Sequence, residues 1–557
     1  MVTFGDAEQE KRIEFLKKRE EEELAQVLSR KYGVEYVDLS LIAINTDALR
    51  LLPEARAKEV EAVIFGMVGK KLSLAVRAPE NPKVKALVQE FTERGYIITV
   101  FMCSQESLKR GWARYADLSY ATESKAGVFE ISNEEIEKLL AEVKNIGDIS
   151  TLIKDAVEMK RAYRITRILE VILAGGLSTS ASDVHFEPEE AEVKLRYRLD
   201  GVLVDVLSLD HETYRLVLSR MKLLSGMKLN ITGEAQDGRF SIKVKGDEIE
   251  LRTSVLPGNY GETVVLRILN PKSIAVPLQE LGFEPKLLER LQKEIARPNG
   301  MILTTGPTGS GKTTTLYAFL RQVNNPGTKI ITIEDPIEYH LPIVQTQVEK
   351  NYSFAEGLRS ALRADPDIIM VGEIRDTEVA TTAINAALTG HLVFSTLHTN
   401  NAAGTFPRLI DLGVSEKVLS SAINVAMAQR LVRKLCQTCK VKRTATEAEQ
   451  KLITTVLASV VDTTLLPQET HELYDAKPEG CEVCGGRGYK GRVGIFEAIF
   501  MDSSIEEMLR NKPSEREIAQ AAKPQGIPTM QQDGVLKILK GITSLDELTR
   551  VIDLEAR

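Results

Sequence analysis

In the stretch AEVKLRYRLDGVLVDVLSL, Val193, Leu195, Tyr197 and Leu199 alternate with Lys194, Arg196 and Arg198. A period of two predicts a strand with one buried face, and Asp200-Gly201 supplies a two-residue hairpin turn. A second hairpin is predicted in GRFSIKVKGDEIELRTSVL, turning at Gly246-Asp247. From about residue 281 the pattern changes. The apolar runs GMILTTG, KIITIED, DIIMVGE and HLVFSTL alternate with helix-like stretches. Continuous apolar strands bounded by glycine suit a parallel sheet covered on both faces. Upstream, residues 1–30 carry a partial helical stripe in Ile13, Leu16, Leu24, Val27 and Leu28. The next stretch, through GYIITVFMCS, reads as a small α+β domain ending near residue 115. The polar segment that follows reads as a helical linker with a capping-box pattern from Ser132 to Glu135.

At 557 residues the chain is too long for one core, and about three domains are expected. The net charge of −7 argues against a surface built mainly to hold nucleic acid. No apolar run reaches the roughly 18 residues a bilayer span needs, and the charged N-terminus lacks a secretory signal's apolar segment. A cytoplasmic protein is the expectation, and disulfides are disfavoured there. Four of the five cysteines form two CxxC pairs, which points to metal instead.

The strongest motif is GPTGSGKTT: Gly306, Pro307, Thr308, Gly309, Ser310, Gly311, Lys312, Thr313 and Thr314. It follows an apolar strand and precedes a helix-forming stretch, the setting a phosphate-binding loop requires. The glycines let backbone N–H groups wrap phosphate oxygens, Lys312 reaches the β/γ-phosphates, and the Thr313 hydroxyl holds Mg²⁺. ATP or GTP is the expected ligand. Two acidic clusters end neighbouring strands: Glu334, Asp335 and Glu338 in ITIEDPIEY, and Glu373 in DIIMVGEIRD. Carboxylates at such strand ends hold Mg²⁺ or polarise the attacking water. Glu373 is the favoured water activator and Glu338 the supporting group, with the two roles open to exchange.

His391 and His398 flank the run LVFSTL. Seven extended residues span about 23 Å at ~3.3 Å each, so the two cannot share a metal. His398 falls at the carboxyl edge with the phosphates, where it can sense the γ-phosphate, and His391 falls at the far end. Arg252 with Arg267, and Arg359 with Arg363, are pairs suited to neutralising phosphoryl charge, although surface ion pairs are the usual fate of arginine. Cys436, Cys439, Cys481 and Cys484 offer four thiolates for tetrahedral Zn²⁺, although 41 residues separate the pairs. Cys103 reads as a buried apolar residue, and residues 441–475 as polar and irregular.

Taken together, ASDVHFEP, RYRLDGVL, QDGRF, GPTGSGKTT, TIEDPIEY, LRADPDIIMVGEIRD, TGHLVFSTLHTN, QRLVRKLC and GRGYKGRVGIFE resemble the secretion ATPase superfamily. Specifically, the chain resembles type II secretion and type IV pilus assembly ATPases, from about residue 25 onward. The resemblance implies an α/β multidomain chain. Its P-loop NTPase core (281–557, including a zinc-knuckle subdomain at 430–497) follows a PAS-like α+β domain (151–280), a linker (121–150) and a smaller N-terminal α+β domain (1–120). It also implies a cytoplasmic homo-hexamer docked on an inner-membrane platform protein, where ATP hydrolysis moves pilin-like subunits. The cofactors implied are ATP, Mg²⁺ and Zn²⁺, with Arg252, Arg267, Arg359 and Arg363 lining the nucleotide site. The zinc knuckle and full N-terminal domain favour assembly over pilus retraction. Two departures stand out. GEAQDGR replaces the usual RLPQDGR, and no RLGELL-type motif supports a cyclic di-GMP site.

Two other classes compete. A DNA-translocating motor would show a basic stripe and DNA-stimulated turnover, and a regulatory nucleotide-binding scaffold would hydrolyse little.

Overall fold

The computed structural model describes residues 20–554 apart from 40, 41, 43, 46, 47, 50, 69, 118–121, 124–127, 131, 132, 144, 160, 245, 272–275 and 467–470. The chain forms two compact units. The first comprises Met1–Ser124, Phe129–Ser132 and Asp155–Leu169, and the second comprises Lys125–Val128, Asn133–Lys154 and Glu170–Arg557.

The first unit holds a four-stranded sheet of β1 (Glu35–Tyr36), β2 (Ala62–Val68), β3 (Lys71–Val76) and β4 (Ile97–Met102), in the order β1-β4-β3-β2. Leu72, Leu74 and Val76 alternate inward and meet Leu87 and Phe91 of the helix Pro82–Glu93. Cys103 is 1% exposed in that core, as its setting predicts. The N-terminal helix turns a different face inward than its apolar stripe suggests. Leu24 and Val27 are 58% and 64% exposed, while Ala25 and Ser29 are buried. Glu22 accounts for this: its carboxylate accepts hydrogen bonds from the Ser104 hydroxyl at 2.6 Å and from the Tyr36 hydroxyl, which fixes the helix's rotation. Ile13, Leu16 and Ser132 lie outside the described residues.

The second unit opens with antiparallel strands β5 (Asp183–Pro188), β6 (Val193–Leu199), β7 (Val202–Leu209), β8 (Gln236–Val244), β9 (Asp247–Gly258) and β10 (Gly261–Leu269), ordered β8-β9-β10-β5-β6-β7. Both predicted hairpins form. Leu199 pairs with Val202 around Asp200 and Gly201 at φ 50° and 86°, the mirror-image turn that suits twisted strands. Val244 pairs with Asp247, so Asp247 begins a strand instead of sitting in the turn. Val193, Leu195, Tyr197 and Leu199 are the buried face. The opposite face is polar, and register lines up Arg239, Arg252, Arg267, Asp183 and Arg198 across five strands.

A seven-stranded sheet follows, built from β11 (Gly300–Thr305), β12 (Ile330–Glu334), β13 (Val344–Gln347), β14 (Ile368–Val371), β15 (Leu392–Leu397), β16 (Ile423–Leu435) and β19 (Tyr489–Phe500). A separate two-stranded antiparallel sheet is made of β17 (Val441–Thr444) and β18 (Glu472–Asp475). The spatial order is β13-β12-β14-β15-β11-β16-β19, parallel throughout except for β16 with β19. Every residue of β11 and β15 is buried. Met301 and Leu303 join a core on one face with Ile333, Val371 and Val393, and Ile302 joins Phe319, Met370 and Phe394 on the other. Each such side chain contributes about 1.5–3 kcal/mol on burial.

Residues 441–475 are more regular than their composition suggests. β17 pairs with β18, and the helix Glu447–Leu457, boxed by Thr446 and Glu449, buries Ile453 and Leu457 against Val535 and Ile538. Among the described residues no helix is long and apolar enough to cross a membrane.

Candidate nucleotide site and cysteine centre

The loop after β11 turns directly into the helix Lys312–Val323, as the motif predicts. Gly306 has φ 150°, and a Cβ there would lie 2.6 Å from both the Gln429 carbonyl and the Ser310 hydroxyl, so only glycine fits. Pro307, Thr308 and Gly309 are exposed at the loop's rim, while Ser310 is buried at its base. Lys312 Nζ donates to the carbonyls of Gly306 at 2.7 Å and Pro307 at 3.1 Å. Burial pulls its ammonium below the usual lysine range. Glu373 opposes that shift and Arg430 adds to it. Thr313 and Thr314 open the helix, half-buried beside Lys312. Thr315 faces inward and donates to Gln429 Oε1 at 2.8 Å. The Thr305 hydroxyl lies 2.7 Å from the Thr399 hydroxyl and also receives the Thr399 N–H at 2.7 Å, tying the tips of β11 and β15 together.

Register puts Gly300 opposite Leu392 and Thr305 opposite Leu397. His398 therefore emerges at the loop end of the sheet. His391 lies at the other end, its Nδ1 3.0 Å from the Ala386 carbonyl. His398 Nε2 is 3.1 Å from Glu373 Oε2, so those two residues and Lys312 share one locus. Glu373 is also ion-paired with Arg375, which reaches Asp335 at 3.5 Å.

Glu338 occupies a different environment. Burial raises its carboxyl above the usual range, and Arg267 and then Arg252 pull it back down. Arg252 donates to the Ile337 carbonyl at 2.5 Å, and Arg267 to Asp183 at 3.2 Å. Glu334 is a structural hub, accepting from Tyr317, from Thr332 at 2.6 Å and from Gln345 at 2.9 Å. Arg359 and Arg363 are exposed on the outer side of the helix Phe354–Leu362 and at its C-cap. Arg359 pairs there with Glu378, and Arg363 donates to Ser360 at 3.1 Å.

The sequence reading left out Arg375, Gln429 and Arg430. Arg375 stands two positions after Glu373 and carried a detectable signal. Gln429 and Arg430 become neighbours of the loop only because β16 lies next to β11.

The four cysteines converge despite their spacing. Their sulfurs lie within 4.8 Å of one another, with Cys436–Cys481 at 3.7 Å, Cys481–Cys484 at 3.8 Å and Cys439–Cys484 at 3.9 Å. Tetrahedral Zn–S bonds of about 2.3 Å demand S···S separations of about 3.8 Å, whereas a disulfide requires about 2.05 Å. The donor set fits zinc. The N–H groups of Cys481 and Gly488 point at Cys484 Sγ from 3.1 and 3.2 Å, as a knuckle offers them to a thiolate. Gly480 is required there, since its Cβ would lie 2.4 Å from the Gly486 backbone.

The chain is similar to known proteins over most of its length. Residues 158–550 match the family described as Type II/IV secretion system protein, and residues 32–122 match the MshEN domain. The type IV pilus assembly ATPase PilB of Myxococcus xanthus is 35% identical over 534 residues, 95% of this chain and 91% of that one. The type II secretion system protein E of Pseudomonas aeruginosa is 42% identical over 72% of this chain and 77% of its own length. Among solved structures, the pilus retraction motor PilT with bound ADP is 28% identical over 68% of this chain and 95% of that one, with a TM-score of 0.46.

Proposed function

Because the chain belongs to the Type II/IV secretion system protein family and is an ATPase of the pilus-assembly and type II secretion kind, we propose that it works as a hexameric motor. It sits at the cytoplasmic face of an inner membrane and drives assembly of a pilus or pseudopilus through a membrane platform protein. The observation that carries this reading is the convergence of Lys312, Glu373 and His398 at the tips of β11, β14 and β15.

In this reading the loop Gly306–Thr314 cradles the triphosphate, and Lys312 exchanges its carbonyl partners for β/γ-phosphate oxygens. Glu373 orients and deprotonates the attacking water. His398, within hydrogen-bond distance of Glu373, registers whether the terminal phosphate is present. Mg²⁺, when bound through the Thr313 hydroxyl with Glu338 in support, neutralises phosphate charge. Arg252 and Arg267 approach from the antiparallel sheet. Arg359 and Arg363, turned outward in a single chain, serve a neighbouring subunit's nucleotide. Cys436, Cys439, Cys481 and Cys484 hold a structural zinc in a knuckle spanning 430–497. The antiparallel sheet at 151–280 is the PAS-like module preceding the motor domain 281–557, with the linker 121–150 and the N-terminal domain 1–120 before it.

The test is magnesium-dependent ATP hydrolysis by the purified full chain. Lys312→Ala and Glu373→Gln are each expected to lower kcat at least about 100-fold, with Glu373→Gln still binding ATP. Turnover that survives both substitutions removes this site from the chemistry.

A further inference from the structure

β16 runs past the end of β11. Thr305 pairs with Ala428, so Gln429 and Arg430 lie beside the phosphate loop instead of the strand. Gln429 is 1% exposed and braces the loop helix through Thr315. Arg430 is placed differently. Its Nη1 donates to the Gln429 carbonyl at 3.0 Å and its Nη2 to the Asn400 carbonyl at 2.9 Å. No carboxylate of the described residues comes within the 4.0 Å of an ion pair. A guanidinium carries a full charge and five N–H donors; two neutral carbonyls hold it directly, and the Glu497 carboxylate opposes its charge only from beyond ion-pair distance.

Three groups converge on Gly306. Lys312 Nζ holds its carbonyl at 2.7 Å. The Ser310 hydroxyl is buried and has no partner among the described residues. Arg430 Nη1 would stand 3.0 Å from a Cβ placed on Gly306. Lys312 and Arg430, both half-buried, repel each other at this locus, and an anion between them would turn that repulsion into attraction. Asn400, the residue Arg430 holds, is two positions beyond His398, and His398 faces Glu373. On the ATPase reading, that is the side on which the terminal phosphate would lie.

We propose that Arg430 binds the terminal phosphate of the nucleotide held by its own chain, alongside Lys312, and so favours triphosphate over diphosphate. The proposal rests on the ATPase reading above and adds a residue to it.

The experiment is a fluorescence titration of the full chain with mant-ATP and mant-ADP, repeated with Arg430→Gln and Arg430→Lys. Arg430→Gln is expected to weaken ATP about tenfold or more and ADP less than about threefold, because a charge-assisted bond to the third phosphate is lost. Arg430→Lys keeps the charge but not the planar fork and should fall between parent and glutamine variant. An equal loss for both nucleotides, or no loss for either, overturns the assignment while leaving the parent's ATP binding, and with it the ATPase reading, intact. A parent chain that binds neither nucleotide ends both. If Arg430→Gln fails to fold, Arg430→Lys decides. A fall of about threefold in its ATP-to-ADP preference supports the contact, and a preference equal to the parent's refutes it.

Discussion

Buried Lys222 and half-buried Lys312 are held in opposite ways. Lys222, 2% exposed, donates to both oxygens of Glu262 at 2.6 and 2.8 Å and to the Ile231 carbonyl at 2.9 Å, so its charge is fully answered. Lys312 donates only to loop carbonyls, with Glu373 acting on it from outside hydrogen-bond range, an arrangement that leaves its donors available to a ligand. Glu262→Gln should therefore destabilise the chain by about 3 kcal/mol, since it strands a buried ammonium. The double variant Lys222→Met with Glu262→Leu should recover most of that loss. Denaturant melts of the three proteins check this, and a single-variant loss under about 0.5 kcal/mol would dismiss the pair as a support of the sheet. At this scale the sequence was informative wherever chemistry rests on residue type at fixed spacing. Lys312, Glu373 and His398 were readable because strand, loop and helix follow one another along the chain. Arg430 was not, because its proximity to Gly306 depends on which strand lies beside β11, and local pattern does not encode that.

Elements tell a similar story. The alternation in β6 and the unbroken apolar runs of β11 and β15 announced one buried face and two, respectively, and both sheets follow. The N-terminal helix broke the rule because the hydrogen bonds of one carboxylate, Glu22, overrode a weak apolar stripe. Residues 441–475 were misjudged because their order depends on charge pairing more than on periodicity. There Arg443 donates to Glu449 at 2.6 and 2.7 Å and also pairs with Asp475, joining a helix to the two-stranded sheet. The Arg443 hydrogen bonds pull the Glu449 carboxyl down to about 2 from 4.5. A depressed carboxylate stabilises the fold above its unfolded pKa and loses that contribution as pH falls toward the folded value. Glu449→Gln should thus cost about 1 kcal/mol at pH 7, after allowance for partial exposure, and almost nothing near pH 2. Melting temperatures of parent and variant at pH 7, 4 and 2.5 should converge as the solution is acidified. A difference that stays constant with pH would mean the side chain acts by packing.

Across the whole molecule, the cysteine centre joins distant stretches that the sequence had marked only as two CxxC pairs. Sulfurs 45 positions apart meet at 3.7 and 3.9 Å, with the paired strands β17 and β18 and the helix between them in the intervening chain. Metal analysis of purified protein should find about one zinc per chain. Cys481→Ser with Cys484→Ser should abolish it and lower the melting temperature by several degrees, because structural zinc binding is folding free energy. Full stability without metal would make the cluster a set of unliganded thiols. The Zn-fitting knuckle is also tethered to the antiparallel sheet. Arg487 donates to the Cys484 carbonyl at 3.1 Å and to Asp200, the tip of the first hairpin, at 2.8 Å. One side chain thus fastens residues 287 positions apart. Oxidants or chelators that strip the thiols would loosen that clasp, and a redox insult would reach the arginine-bearing face as lost alignment well before the chain came undone.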